Sequence, residues 1–185
     1  MANPAPESLW TFERAAELDP DQNPGDLERG SFFPLTKSTL RHGQFAANIT
    51  ALLHSYTRAH REWLVATCDP GCKLEHDPDT LRGPDVALVK RDRAPTGKGA
   101  EGWLDGAPEL AVEIFGDSQT VAELLKKAGE YLAAGARMIW LVDPKRERLT
   151  VITQDGPHMF LGREDTFEGG ELFPGLTCRV AEFFE

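Results

Sequence analysis

The chain has 185 residues, 41% hydrophobic and 27% charged, the proportions of an ordinary globular protein of one domain rather than a disordered or fibrous one. Thirty Asp and Glu against twenty Lys and Arg leave a formal charge of −10, which argues against sequence-blind adhesion to nucleic acid, so any polyanion site has to be local. No apolar run approaches the ~18 residues of a membrane span, the opening MANPAPESLW lacks the order of a secretory signal, and three cysteines are too few for a disulfide framework, so a cytoplasmic protein is expected.

Residues 1–24 read as an acidic, proline-rich lead-in, and 25–185 as the domain. In the lead-in, Ser8 is placed to cap a short helix through Leu9, Phe12 and Ala16 that Asp19-Pro20 would end, and DPDQNPGD has loop composition. SFFPL reads as an edge strand, because Pro34 has no N–H for a ladder. From His42 to His60, Phe45, Ile49, Leu52, Leu53 and Tyr56 form one apolar stripe of an amphipathic helix. EWLVATC then reads as a strand, with DPG as its turn and CKLEH returning beside it. DVALV and ELAVEIF are buried strands separated by the loop KRDRAPTGKGAEG. Thr120 opens a helix with a capping box, since Glu123 falls at the third helical position, and Gly135 closes it. MIWLVD follows as a strand, then RLTVIT and PHMFLG as a hairpin. A helix between ELAVEIF and MIWLVD predicts one βαβ crossover inside a mixed sheet.

Three ionisable residues interrupt this apolar framework. Asp85 starts a buried strand, Glu113 sits inside AVEIF, and Lys127 lies on the crossover helix between Leu124 and Tyr131. Buried carboxylates need a partner, and a divalent cation is a natural one, with a lysine at the same sheet edge to orient water or offset developing charge. Each residue alone has a plainer alternative: Asp85 as a turn cap, Glu113 on a solvated face with Glu109, Lys127 paired with Glu123. Their order on strand, strand and helix favours a joint role.

RGPDVALV, PELAVEIFGDSQT and KAGEYLAAGARMIWLVDP together resemble the bacterial Uma-two family, within the PD-(D/E)xK nuclease superfamily. LERGSFFPL, RHGQFAANITALL and LFPGLTCRVAEFF extend the resemblance over about residues 25–183. It implies a single α/β domain of the restriction-endonuclease-like fold, a central mixed sheet flanked by helices. It also implies a metal-dependent DNA endonuclease, in which Asp85 and Glu113 bind Mg²⁺ (or Mn²⁺) with the backbone carbonyl of Ile114. The motif's usual lysine position, two residues after the acid, is Phe115 here, so the role passes to the following helix, where Lys127 fits; Lys126 is the competitor and is placed to pair with Glu130. Tyr131 would support Lys127, and His42 and Glu28 are accessory candidates, Glu28 because Ser31 replaces the family's glutamate. Gly116-Asp117 likewise replaces the family's Ser-Pro. Endonucleases of this kind act as homodimers, so a homodimer with DNA as substrate is expected; the alternative is a catalytically inactive member serving as a binding or scaffold module.

Lys90, Arg91, Arg93 and Lys98 follow the Asp85 strand and are the candidates for phosphate contact, against the alternative of a solvated loop; Trp103 is a candidate for base stacking, against surface packing. Cys68, Cys72 and His76 have spacing that overlaps zinc sites, but with no fourth ligand evident beyond Cys178 or a distant histidine, buried thiols are the expectation and a structural zinc the alternative.

Overall fold

The computed structural model describes residues 9–18, 25–35, 37–116, 119–154 and 156–185. Within them the short first helix, α1 (Phe12–Ala16), buries Phe12 and Ala15 and is capped by the Thr11 side chain, which accepts the Arg14 N–H. Ser8, the expected cap, lies outside the described residues. Where loop composition was expected, β1 (Gly25–Glu28) forms and turns through Arg29 and Gly30, both at positive φ, into β2 (Ser31–Pro34). β2 is a sheet edge, as Pro34 requires.

The long helix α2 (Leu40–Ala59) begins two residues before the expected start at His42, because the Thr39 side chain accepts the His42 N–H. β3 (Trp63–Thr67) follows, but the expected hairpin does not. Cys68 and Asp69 both adopt left-handed backbone, at φ 65° and 54°, and turn the chain out of that sheet. β4 (Cys72–Glu75) therefore joins a second sheet beside β5 (Thr80–Arg82). β6 (Val86–Lys90) returns to the first sheet and β7 (Leu104–Asp105) to the second. β8 (Leu110–Ile114), α3 (Val121–Ala133) and β9 (Met138–Asp143) make the expected crossover unit, with β8 and β9 parallel. The Thr120–Glu123 capping box is formed in full, and Gly135, at φ 101°, takes the left-handed turn after the helix that a side chain would resist. β10 (Arg148–Thr153) and β11 (Met159–Gly162) form the expected hairpin, and β12 (Thr166–Glu168) pairs with β13 (Thr177–Arg179) in a separate ribbon.

The larger sheet has the order β11-β10-β9-β8-β6-β3 and is antiparallel except at β8–β9; the smaller has the order β2-β1-β5-β4-β7. One face of the larger sheet packs Leu110, Val112, Ile114, Trp140 and Val142 against Phe45, Ile49 and Leu53 of α2 and against Phe167, Phe173 and Phe183. The other packs Ala111, Ile139 and Leu141 against Leu124, Ala128 and Tyr131 of α3. Each fully buried Leu, Ile or Phe contributes about 1.5–3 kcal/mol, and burial on both faces is why these strands read as unbroken apolar runs. Among the described residues no helix is long and apolar enough to cross a membrane.

Candidate active site

Strand register decides where the two acids meet. Val86 lies opposite Val112 and Ala87 opposite Ala111, so one further step along the antiparallel ladder sets Asp85 across from Glu113, on the face covered by α3. Asp85 is fixed from both sides: Oδ2 accepts the Ile114 N–H at 2.6 Å and Oδ1 lies 2.8 Å from His42 Nε2 on α2. That bond to Asp85 raises the His42 pKa above the ordinary histidine value and outweighs the opposing effect of burial.

Glu113 is only 3% exposed, deep enough that its partners decide its chemistry. Tyr131 donates its hydroxyl to Oε1 at 2.8 Å, and Lys127 Nζ stands 3.5 Å from Oε2. Lys127 and Tyr131, four residues apart, share one face of α3, while Leu124 and Ala128 anchor that helix to the sheet. Burial pushes the Glu113 carboxyl up; Lys127 and Tyr131 oppose this, and the neighbouring charges of Asp85 and Asp26 add to it. Burial works against the Lys127 ammonium, but Glu113 and Asp26 outweigh it, so its pKa lies above the ordinary lysine value. Tyr131 is likewise raised well above the usual value, by burial and then by Glu113, which keeps it a hydrogen-bond donor.

The smaller sheet completes the surroundings. Asp26 on β1 lies 3.6 Å from Lys127 and 3.1 Å from Arg82, and Arg82 on β5 also holds Glu28 at 3.1 Å and Glu130 at 2.7 Å. Lys126 bonds Glu28 rather than Glu130, so the two adjacent lysines are separated by role: Lys127 turns to the Asp85–Glu113 pair, Lys126 away from it. Nor does Lys127 pair with Glu123, whose carboxylate caps the helix start. The pair opens onto a cleft of about 870 Å³ lined also by His42, Asp69, Ile114, Gln119 and Asp143, with Lys37, Arg41, Lys145 and Arg146 among its walls.

The family model Uma2, described as "Putative restriction endonuclease", matches residues 12–181. The chain belongs to the Uma2 family. A crystallised protein of Anabaena variabilis, described as a "putative nuclease belonging to DUF820", shares 18% identity with it. That match covers 86% of this chain and 89% of the other, with a TM-score of 0.74, and it shows that the fold expected from the sequence is the one adopted. No protein of curated function matches.

The Uma2 fold leaves several expected site residues apart from the cleft. Lys90, Arg91 and Arg93 lie at the far end of β6 from Asp85, about 3.3 Å per residue away along the strand. There they serve the fold: Lys90 stands over the Trp63 ring, Arg91 donates to the carbonyls of Arg61 and Trp63, and Arg93 pairs with the buried Glu109 at 2.9 Å. Glu109 is thus not on a solvated face. Trp103 packs where a Cβ at Gly71 would meet its ring, with the small Phe12 cluster rather than in the cleft. Cys72 and Cys178 are buried, which pushes both thiols up to about 12, but Cys68 is exposed, against expectation. His76 packs on Phe12 beside Asp105, and among the described residues no three His, Cys, Asp or Glu side chains converge as metal ligands. The set left for a cation is two carboxylates and the backbone at Ile114, all oxygen donors, which suits a hard divalent ion and not zinc; Glu113, buried beside a like charge, is the member least satisfied without one. Sequence reasoning missed Asp26, Asp69, Arg82, Glu130 and the bases of the cleft walls. A buried arginine among acids leaves no periodic signal, and Asp69 reads as an ordinary turn residue in DPG.

Proposed function

We propose that this Uma2 protein is a Mg²⁺-dependent endonuclease that hydrolyses DNA phosphodiester bonds, with Mn²⁺ able to substitute. The observation that carries the reading is the cross-strand pair Asp85–Glu113, on a cleft, with the buried acid joined to Lys127 and Tyr131. Asp85 and Glu113, with the Ile114 carbonyl, would hold the cation. Bound there, it would polarise a phosphate oxygen and acidify a coordinated water. His42 and the Ile114 N–H fix the Asp85 carboxylate, Tyr131 fixes that of Glu113, and Lys127 supplies positive charge toward the phosphate. Glu28 acts at one remove, through Lys126 and Arg82. Lys37, Arg41, Lys145 and Arg146 on the cleft walls are better placed than Lys90, Arg91 and Arg93 to meet backbone phosphates, a local basic surface on an acidic protein. Two such sites would let both strands of a duplex be cut in one binding event, and a homodimer would supply them.

One observation favours a second reading, a non-catalytic binding module. Both Asp85 oxygens and Glu113 Oε1 are already hydrogen-bonded and Lys127 stands 3.5 Å from Glu113 Oε2, so the site is largely satisfied in the absence of metal. Cleavage of supercoiled plasmid and single-stranded DNA in Mg²⁺ or Mn²⁺, beside Asp85→Ala and Lys127→Ala, separates the two. Loss of activity in both variants supports the nuclease. Activity persisting in Asp85→Ala refutes the assignment. Absence of Mn²⁺-induced thermal stabilisation, in wild type as in Glu113→Ala, favours the binding module.

A further inference from the structure

Hydrolysis of a phosphodiester needs a group to take the proton of the attacking water, and nearly every ionisable side chain at the cleft is already engaged. Lys127 is held as an ammonium between Glu113 and Asp26 and has no lone pair to offer. His42 is engaged through Nε2 with Asp85. Glu113 is buried against Tyr131 and Lys127, and both Asp85 oxygens are hydrogen-bonded. Asp143 accepts the N–H groups of Lys145 and Arg146 and pairs with the Arg146 guanidinium at 2.8 Å. Asp69 differs. It lines the cleft beside Asp85 and His42, yet among the described residues its carboxylate accepts no hydrogen bond and joins no ion pair.

The backbone is shaped to put it there. Cys68 and Asp69 are consecutive left-handed residues, a conformation that costs side-chain-bearing residues energy and is met at functional sites. The strand approach that follows supplies the room: a Cβ on Gly83, two residues before Asp85, would stand 2.7 Å from the Asp69 carbonyl oxygen. The chain thus brings the end of β3 against the entry to β6 and places Asp69 in the lining of the cleft that also holds Asp85 and Glu113.

We propose that Asp69 is the proton acceptor for the attacking water, an assignment that rests on the nuclease reading above. As the water oxygen forms its bond to phosphorus, its proton passes to a carboxylate oxygen of Asp69. The bond from phosphorus to the leaving oxygen breaks, and the leaving alkoxide takes a proton from solvent in the cleft, into which Asp69 later releases its own. Burial first, then the charges of Asp85 and Asp26, push the Asp69 carboxyl up to about 6, against the opposing charges of Lys127 and His42.

The test compares wild type with Asp69→Asn and Asp69→Ala on plasmid DNA and on bis(4-nitrophenyl) phosphate, together with Mn²⁺ binding by calorimetry. The asparagine keeps the shape but is a far poorer proton acceptor, so kcat should fall about 10²- to 10⁴-fold while KM and Mn²⁺ affinity stay near wild type. Formate should restore part of the lost activity to Asp69→Ala, which it could not do if Asp69 merely shaped the loop. If Asp69→Asn retains kcat within about threefold of wild type, against the tenfold that each 1.36 kcal/mol of barrier represents, the assignment is wrong. If it loses Mn²⁺ affinity to the extent expected of Glu113→Gln, Asp69 is a ligand and not the acceptor. A wild type that binds Mn²⁺ but cleaves neither substrate overturns the nuclease reading and this inference with it, whereas cleavage that survives in both Asp69 variants overturns this inference alone.

Discussion

Replacing Arg82 with Met tests whether two acids of the smaller sheet, Asp26 and Glu28, and Glu130 of α3 depend on one cation. The Arg82 side chain is 6% exposed and makes four hydrogen bonds, to Asp26 at 3.1 Å, Glu28 at 3.1 Å and Glu130 at 2.7 and 3.2 Å. The three acids would not suffer equally. Glu28 and Glu130 are 29% and 21% exposed and can turn to water, and Glu28 keeps Lys126; Asp26, 7% exposed, is left with Lys127 at 3.6 Å. Most of the loss therefore comes from one stranded carboxylate, and removing the partner of a buried charge costs about 3–5 kcal/mol. At about 2–4 °C per kcal/mol for a chain of this size, the melting temperature should drop by roughly 6–20 °C. Urea unfolding of wild type, Arg82→Met, Asp26→Asn and the double variant measures it. The double variant should be more stable than additivity allows by about 1–3 kcal/mol, because neutralising Asp26 removes what Arg82→Met leaves unpaired. A single-variant cost below about 1 kcal/mol, the range of an exposed ion pair, or strict additivity would refute the argument.

The bond to Asp85 raises the His42 pKa, so its contribution is complete below the unfolded value of about 6.5 and lost as pH rises through the higher folded value. His42→Ala should accordingly cost more stability at pH 6 than at pH 9, measured by urea unfolding at both. Gly83→Ala forces the Asp69 carbonyl away from a Cβ at 2.7 Å; stability should fall by about 1–3 kcal/mol, and cleavage by more than that loss accounts for, with Mn²⁺ affinity retained. In fluorescence titrations of DNA binding, Lys37→Gln with Arg41→Gln should flatten the dependence of log K on log salt by about 0.9 for each phosphate no longer neutralised, while Lys90→Gln leaves it unchanged.

What was legible in the sequence was what local chemistry encodes. α3 announces itself by a capping box, a period and a glycine stop, and the structure has all of them. Asp85, Glu113 and Lys127 stood out because charge inside an apolar run is costly, and the structure brings them to one sheet end. The smaller sheet was not legible. β7 is two residues long, and the pairing of Leu27 with Leu81 joins segments whose sequences carry no period to match. Asp26 and Arg82, lying in acidic and loop-like stretches, look solvated until that sheet exists. The expected hairpin at residues 62–76 failed for a related reason: Asp-Pro-Gly signals a turn, but not where the turn sends the chain.

The Lys127 ammonium touches Asp26 from the smaller sheet and Glu113 from the larger, so one side chain joins segments nearly ninety residues apart in order of synthesis. A chain released from the ribosome only as far as β8 would already carry both carboxylates of the pair, but neither the lysine nor the tyrosine that α3 brings to Glu113. The chemistry of the cleft is in that sense delayed by its own topology, and becomes complete only when the crossover helix has docked.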